Sequence, residues 1–215
     1  MDNLLALFPL HLVLFPGATL PLHIFEERYR DMIDRCIRLE QPFGVVLIRE
    51  GAAEGGPTAE PYAIGTTAVI QNVVKLTDGR MLLAAVGDRR FRIEQIVQRE
   101  PYLVANVAYL TDEMTAEAVA MADQVRALYS KHRDALAHAT GVAQQMDDLP
   151  DDPLALSYQL SSQFRVIDYS KQQLLEADLE DRLAAIADAL ERELHLLPQA
   201  PHGPLPTSTR PWTLN

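Results

Sequence analysis

The stretch FPGATLPLHIFEERYR, residues 15–30, constrains this chain more than any other, because the hydrophobic period changes inside it. Pro16 and Gly17 mark a turn, and residues 19–25 have the apolar, aromatic and β-branched content of a buried strand. Pro21 lacks a backbone N–H, so this strand belongs at a sheet edge or begins there. From Glu26 onward the period is helical. Tyr29, Met32, Ile33, Cys36 and Ile37 share one face, and Arg28, Arg30, Asp31, Asp34, Arg35 and Arg38 fill the other. Glu26 and Glu27 stand in the first turn, where the helix dipole favours carboxylates.

Further along, Pro42 ends that helix, and residues 43–48 form an apolar run short enough for a strand buried on both faces. Residues 50–61, rich in glycine and proline, read as a mobile loop. Residues 64–76 and 81–86 are strand-like and flank Asp78-Gly79, which predicts a hairpin with a type I′ turn. Gly87-Asp88 reads as a break, followed by an alternating strand from Arg90 and a last one over residues 102–110. At least five strands around one helix give the pattern of a small antiparallel barrel.

From Thr115 the chain turns helical. Ala118, Ala122, Val125, Tyr129, His132 and Leu136 mark one face of a long helix, with Gly141 placed as its C-terminal cap. Asp152-Pro153 starts the next helix as N-cap and first helical residue. A short helix covers residues 171–175, and Leu179, Leu183, Ile186, Leu190, Leu194 and Leu197 stripe a final one. The expected fold class is therefore α+β: a β pseudobarrel with one inserted helix over residues 1–110, then a four-helix subdomain over 111–197. Residues 198–215 hold five of the 14 prolines and no periodicity, and read as a tail whose one large aromatic is Trp212.

Several segments together resemble the N-terminal domain of Lon proteases. Leu7-Phe8-Pro9-Leu10, Leu14-Phe15-Pro16-Gly17 and residues 21–29 are similar to that family's opening signature in order and spacing. Gly65 to Arg92, Pro101 to Ala105, and Lys171 to Glu176 followed by Asp181-Arg182-Leu183 extend the likeness over nearly 190 residues. The resemblance implies a non-catalytic module that binds unfolded or partly folded polypeptide. A protease or chaperone is its natural partner, and an adaptor in protein quality control is one form such a module takes. A small-molecule-binding or regulatory protein, or an enzyme of unrecognised chemistry, is the alternative. Binding would use exposed apolar surface on the β part or a groove between the two parts, either by adding a strand to a sheet edge or by receiving an amphipathic helix.

The rest of the sequence narrows the chemistry. No G-x-x-x-x-G-K-[ST] is present, and the three lysines, Lys75, Lys131 and Lys171, follow no glycine loop, so no ATPase or peptidase part is expected. Cys36 lies on an apolar helix stripe, His132 and His138 lack metal-ligand spacing, and Ser157, Ser161 and Ser162 have no G-x-S-x-G setting. Asp147, Asp148, Asp151 and Asp152 lack the glycine and glutamate of a calcium loop. No catalytic residue, metal or cofactor is expected.

The formal net charge is −11, and most of it falls on residues 111–215, which hold 17 acids and 8 bases. Such a surface repels phosphates, so nucleic acid is not an expected partner. No apolar run reaches the length of a bilayer span and no basic leader precedes the first strand, so the expected setting is cytoplasmic, without membrane. Leu22, Ile24, Phe25 and Phe91 fit a core. The candidate peptide-contacting set within the family signature is Leu22, His23, Arg89, Arg90 and Tyr102. Glu26, Arg28 and Arg90 are read as an internal ion-pair set, with Glu26 expected to hold Arg90 under the first helix.

Overall fold

The computed structural model describes residues 3–51, 59–140 and 148–197. Among them run seven strands and five helices. The first part contains β1 (Leu4–Leu10), β2 (Thr19–Ile24), α1 (Glu27–Leu39), β3 (Phe43–Glu50), β4 (Glu60–Pro61), β5 (Ile64–Lys75), β6 (Met81–Gln98) and β7 (Leu103–Tyr109). Four helices follow: α2 (Ala116–Thr140), α3 (Pro153–Gln163), α4 (Asp168–Glu176) and α5 (Leu179–Leu196). Gly141, Asp147, most of the 50–61 loop and the tail with Trp212 lie outside the described residues.

The strands close into a ring. Their order is β1-β7-β6-β5-β3, and β3 returns to β1 in parallel register, Leu7 beside Gly44 and Leu10 beside Leu47. All other pairings are antiparallel. Gly44 is needed where β3 meets the Leu7 and Phe91 side chains, because a Cβ there would stand 2.7 Å from both.

Three expectations about this half change. The 50–61 stretch contains β4, which pairs with Ile48 and Glu50 of β3. The hairpin after β5 is not type I′: Gly79 has φ +83° and Asp78 does not share that region, while Gly79 N–H donates to Leu76 O (3.0 Å) and Leu76 N–H to Arg80 O (2.8 Å). Thr77-Asp78-Gly79 is thus a three-residue loop that requires one positive φ, not two. Gly87 is no break, since β6 runs through it for 18 residues. Its role is close approach: a Cβ there would meet Phe15 O at 2.3 Å, and Gly17 N–H donates to Gly87 O (2.8 Å).

Helix α1 stops the open end of the ring with Tyr29, Met32, Ile33 and Cys36, all buried, against Phe8, Phe43, Leu83 and Ala85. The Phe8 and Tyr29 ring centroids are 4.2 Å apart. Burial pushes the Cys36 thiol up to about 11. Glu40 ends the helix in the left-handed region (φ 51°), and its N–H with that of Gln41 satisfies the carbonyls of Ile37 and Cys36.

The helical layer has its own core of Ala118, Ala122, Val125, Leu156, Leu160, Leu179, Leu183, Ile186 and Leu190. Side chains of Thr115, Asp152 and Asp178 cap α2, α3 and α5 by accepting from Ala118 N (3.0 Å), Ala155 N (2.8 Å) and Asp181 N (2.9 Å). Phe15, Ile64, Tyr158 and Leu175 join the two layers.

Candidate functional site

Arg90 shows why the sequence misplaced its partner. It alternates away from the buried Phe91, as strand geometry requires, but α3, α4 and α5 cover that face rather than α1. Arg90 donates to Asp112 Oδ2 (2.7 Å) and to the carbonyls of Leu175 (2.6 Å) and Ala177 (2.7 Å). Glu26 instead pairs with Arg28 at 2.8 Å, beside the first turn of α1.

Asp112 is shared. Its other oxygen accepts from Arg182 (2.9 Å), which also donates to Ser157 Oγ (3.0 Å) and Ala177 O (2.9 Å). Tyr158 donates to Asp112 Oδ2 (3.0 Å), and the Arg182 guanidinium lies 4.3 Å from its ring centre. Arg90, Asp112 and Arg182 are almost wholly shielded from solvent. Burial drives Tyr158 up to about 12 and lowers Arg182. Two guanidiniums around one carboxylate, tied to carbonyls at the end of α4, form a joint between strand and helices. The cluster has no accessible group to present to a substrate.

Tyr102 is also withdrawn, buried in the core with Phe8 and Phe43. Arg89 is exposed but engaged: its guanidinium lies 4.1 Å from the Tyr109 ring centre and bonds Asp88 (3.2 Å). Leu22 is half-buried against the core. Of the five candidate contacts, His23 alone stands on an open apolar surface.

That surface is the outer face of the sheet that β2, the start of β6 and the end of β5 form beyond the ring. Register sets His23 beside Leu82 and Leu82 beside Val74, and Pro21 beside Ala84 and Ala84 beside Asn72. Leu82 is 46% exposed and Val74 57%. Phe25, expected in the core, is 47% exposed, with its ring 5.8 Å from that of His23. Histidine, leucine and valine thus stand in one row on a solvent-facing sheet, with a phenylalanine beside them. Leu82 and Val74 were missed, because residues 73–74 and 81–83 place apolar side chains on both faces, a pattern that a strand covered on both sides shares.

Two concavities adjoin this region. One, of about 480 Å³, lies between the Pro16-Gly17-Ala18 turn and α3, with Asp88, Asp152 and Tyr158 in its wall. Its carboxylates are engaged, Asp88 by Arg89 and Asp152 as the α3 cap, so no ionisable groups converge there on a ligand. The other, of about 720 Å³, lies between the end of α1 and β5. Among the described residues no cluster of three His, Cys, Asp or Glu side chains fits a metal, and no helix is long and apolar enough to cross a membrane.

Comparison with known proteins identifies the relatives of the whole chain. The profile of the ATP-dependent protease La (LON) substrate-binding domain matches residues 5–192. Lon protease 2 of Myxococcus xanthus is 28% identical over 202 residues, 92% of this chain and 24% of that protein. Lon protease of Anaeromyxobacter dehalogenans is 27% identical over 86% of this chain and 22% of its own length. The chain thus spans about a quarter of the curated relatives it matches. A crystal structure of a Lon N-terminal domain protein from Xanthomonas campestris shares 29% identity with TM-score 0.60, covering 91% of this chain and 99% of that one. The N-terminal domain of a Mycobacterium avium complex Lon protease superposes with TM-score 0.63 at 21% identity, covering 87% and 98%.

Proposed function

The chain belongs to the family of Lon substrate-binding domains, and from that premise we propose that it is a non-catalytic module binding unfolded or partly folded polypeptide through the outer face of the β2–β6–β5 sheet. The observation that carries this reading is the solvent-facing row His23, Leu82 and Val74 with Phe25 at its end. Unfolded chains differ from folded ones in presenting apolar side chains, and an apolar face is the complement that burial rewards. The small-molecule alternative has less to rest on, because the cleft beside α3 offers carboxylates already engaged. As an adaptor in protein quality control the module would hold a client for a protease, and a protease recovered together with client and protein is the sign of that role.

Anisotropy with labelled, reduced and carboxymethylated lactalbumin, which cannot refold, tests the reading. The Leu82→Thr/Val74→Thr double variant keeps β propensity and removes the apolar row. It is expected to bind about tenfold or more weakly. Equal binding by variant and wild type, or equal binding of native lactalbumin, rejects it.

A further inference from the structure

The groove between α1 and β5 has a wall that no side-chain argument accounts for: an unpaired strand edge. Strand β3 pairs with β5 from Val45 beside Thr66 to Phe43 beside Ala68, and there the pairing stops. The cause is local. Pro42 has no N–H to continue the ladder, and before it the chain turns away into α1 through the left-handed Glu40. Strand β5 nevertheless runs on to Lys75, hydrogen-bonded to β6 along its other side. Among the described residues, no strand pairs with the β3 side of residues 69–75.

The groove facing this edge is lined by Cys36, Ile37 and Pro42 on the helix side and by Val69, Ile70 and Val73 on the strand side. Lys75 bonds Asp34 of α1 at 2.6 Å and bridges its far end. We propose that this groove takes an extended segment of client polypeptide as an added strand on β5, in continuation of the position that β3 occupies up to Ala68. The proposal rests on the polypeptide-binding reading above and gives it a geometry.

Two features select the occupant. A ladder edge offers alternating N–H and C=O groups, which only another extended backbone satisfies along its length. An added strand would also lie next to Val69 and Val74 on the outer face and next to Ile70 and Val73 on the inner one. It would therefore be apolar on both faces, as core strands are before they fold. A second copy of this chain is the poorer occupant. The register shift around Gln71 and the charge of Lys75 are the means by which edges avoid long pairing with a copy, and they leave room for a short strand.

The probe is a nine-residue peptide, Lys-Lys-Val-Thr-Phe-Val-Ile-Lys-Lys, labelled with carbon-13 at its central carbonyls. Binding is expected to slow hydrogen exchange of amides in residues 69–75 and to place the labelled infrared band at the strand position. Ile37→Gln, which keeps the helix and removes an apolar wall, is expected to weaken binding about tenfold. Its melting temperature and its binding of a Leu82-directed antibody fragment check that it remains folded. A helical band, or protection without residues 69–75, overturns strand addition. If unfolded lactalbumin still binds in either case, the polypeptide-binding reading stands; if neither probe binds, both fail.

Discussion

Arg90 and Leu82 belong to one strand and invert the usual distribution of side chains. At Arg90, β6 is covered by helices and carries a charge that is 5% exposed; at Leu82 the same strand is uncovered and carries a leucine that is 46% exposed. The covered end spends its hydrogen-bonding groups on position, since Asp112 and the carbonyls of Leu175 and Ala177 admit the guanidinium in one orientation. The uncovered end gives up some apolar burial and retains a surface available to other chains. A buried charge joint and an exposed apolar row are thus opposite departures from the same rule, the first tying strand to helices and the second left open to solvent.

The largest test of this contrast is Asp112→Ala, which leaves two guanidiniums facing each other without a carboxylate. It is expected to cost about 3–5 kcal/mol in urea unfolding. A cycle of Asp112→Ala with Arg90→Ala should be non-additive by about 0.5–3 kcal/mol, while Arg90→Ala with Glu26→Ala adds. Coupling between Arg90 and Glu26 instead would refute the joint. Next, Leu183→Ala should cost about 2–5 kcal/mol, because that side chain is 0% exposed in the helical core. The Leu82→Thr/Val74→Thr pair is expected to stay within about 1 kcal/mol of wild type. If the leucines at 82 and 183 proved equally costly to lose, the outer row would be structural.

A separate test is a pH slope. Burial raises Cys36 from 9.0 to about 11, so the folded protein holds this proton more tightly than the unfolded chain. Stability should therefore fall as pH rises from about 9 to 11, with no contribution below that window. Tyr158, raised from 10.0 to about 12, continues the fall to higher pH. Cys36→Ala should flatten the first part of the slope in pH-dependent denaturation; an unchanged slope would assign it elsewhere.

Local features were legible because they are set by local chemistry. The stripe Tyr29, Met32, Ile33 and Cys36 is buried as its spacing requires, and Asp152 caps α3. Ile37 shares that stripe but lies at its margin, 39% exposed on the groove. What periodicity cannot supply is which layer covers which face. Alternation turned Arg90 away from Phe91 but could not show that Asp112, Tyr158 and Arg182 would meet it, since they come from three separate segments. For the same reason nothing in the sequence set Leu82 and Val74 apart from core: an apolar run reads alike whether a helix covers its second face or nothing does.

The parallel pairing of β1 with β3 also sets an order of events. A ribosome makes β1 first, yet β1 has no neighbour until residues 44–47 emerge, and its second neighbour waits for residues 103–106. Synthesis and closure therefore run in opposite senses, and β1 has both flanks paired only once β7 is made. Joining ends that far apart demands loop-closure entropy before any contact repays it, which slows the step and leaves a sticky strand waiting. Until β7 is made, the ring therefore stays open along β1.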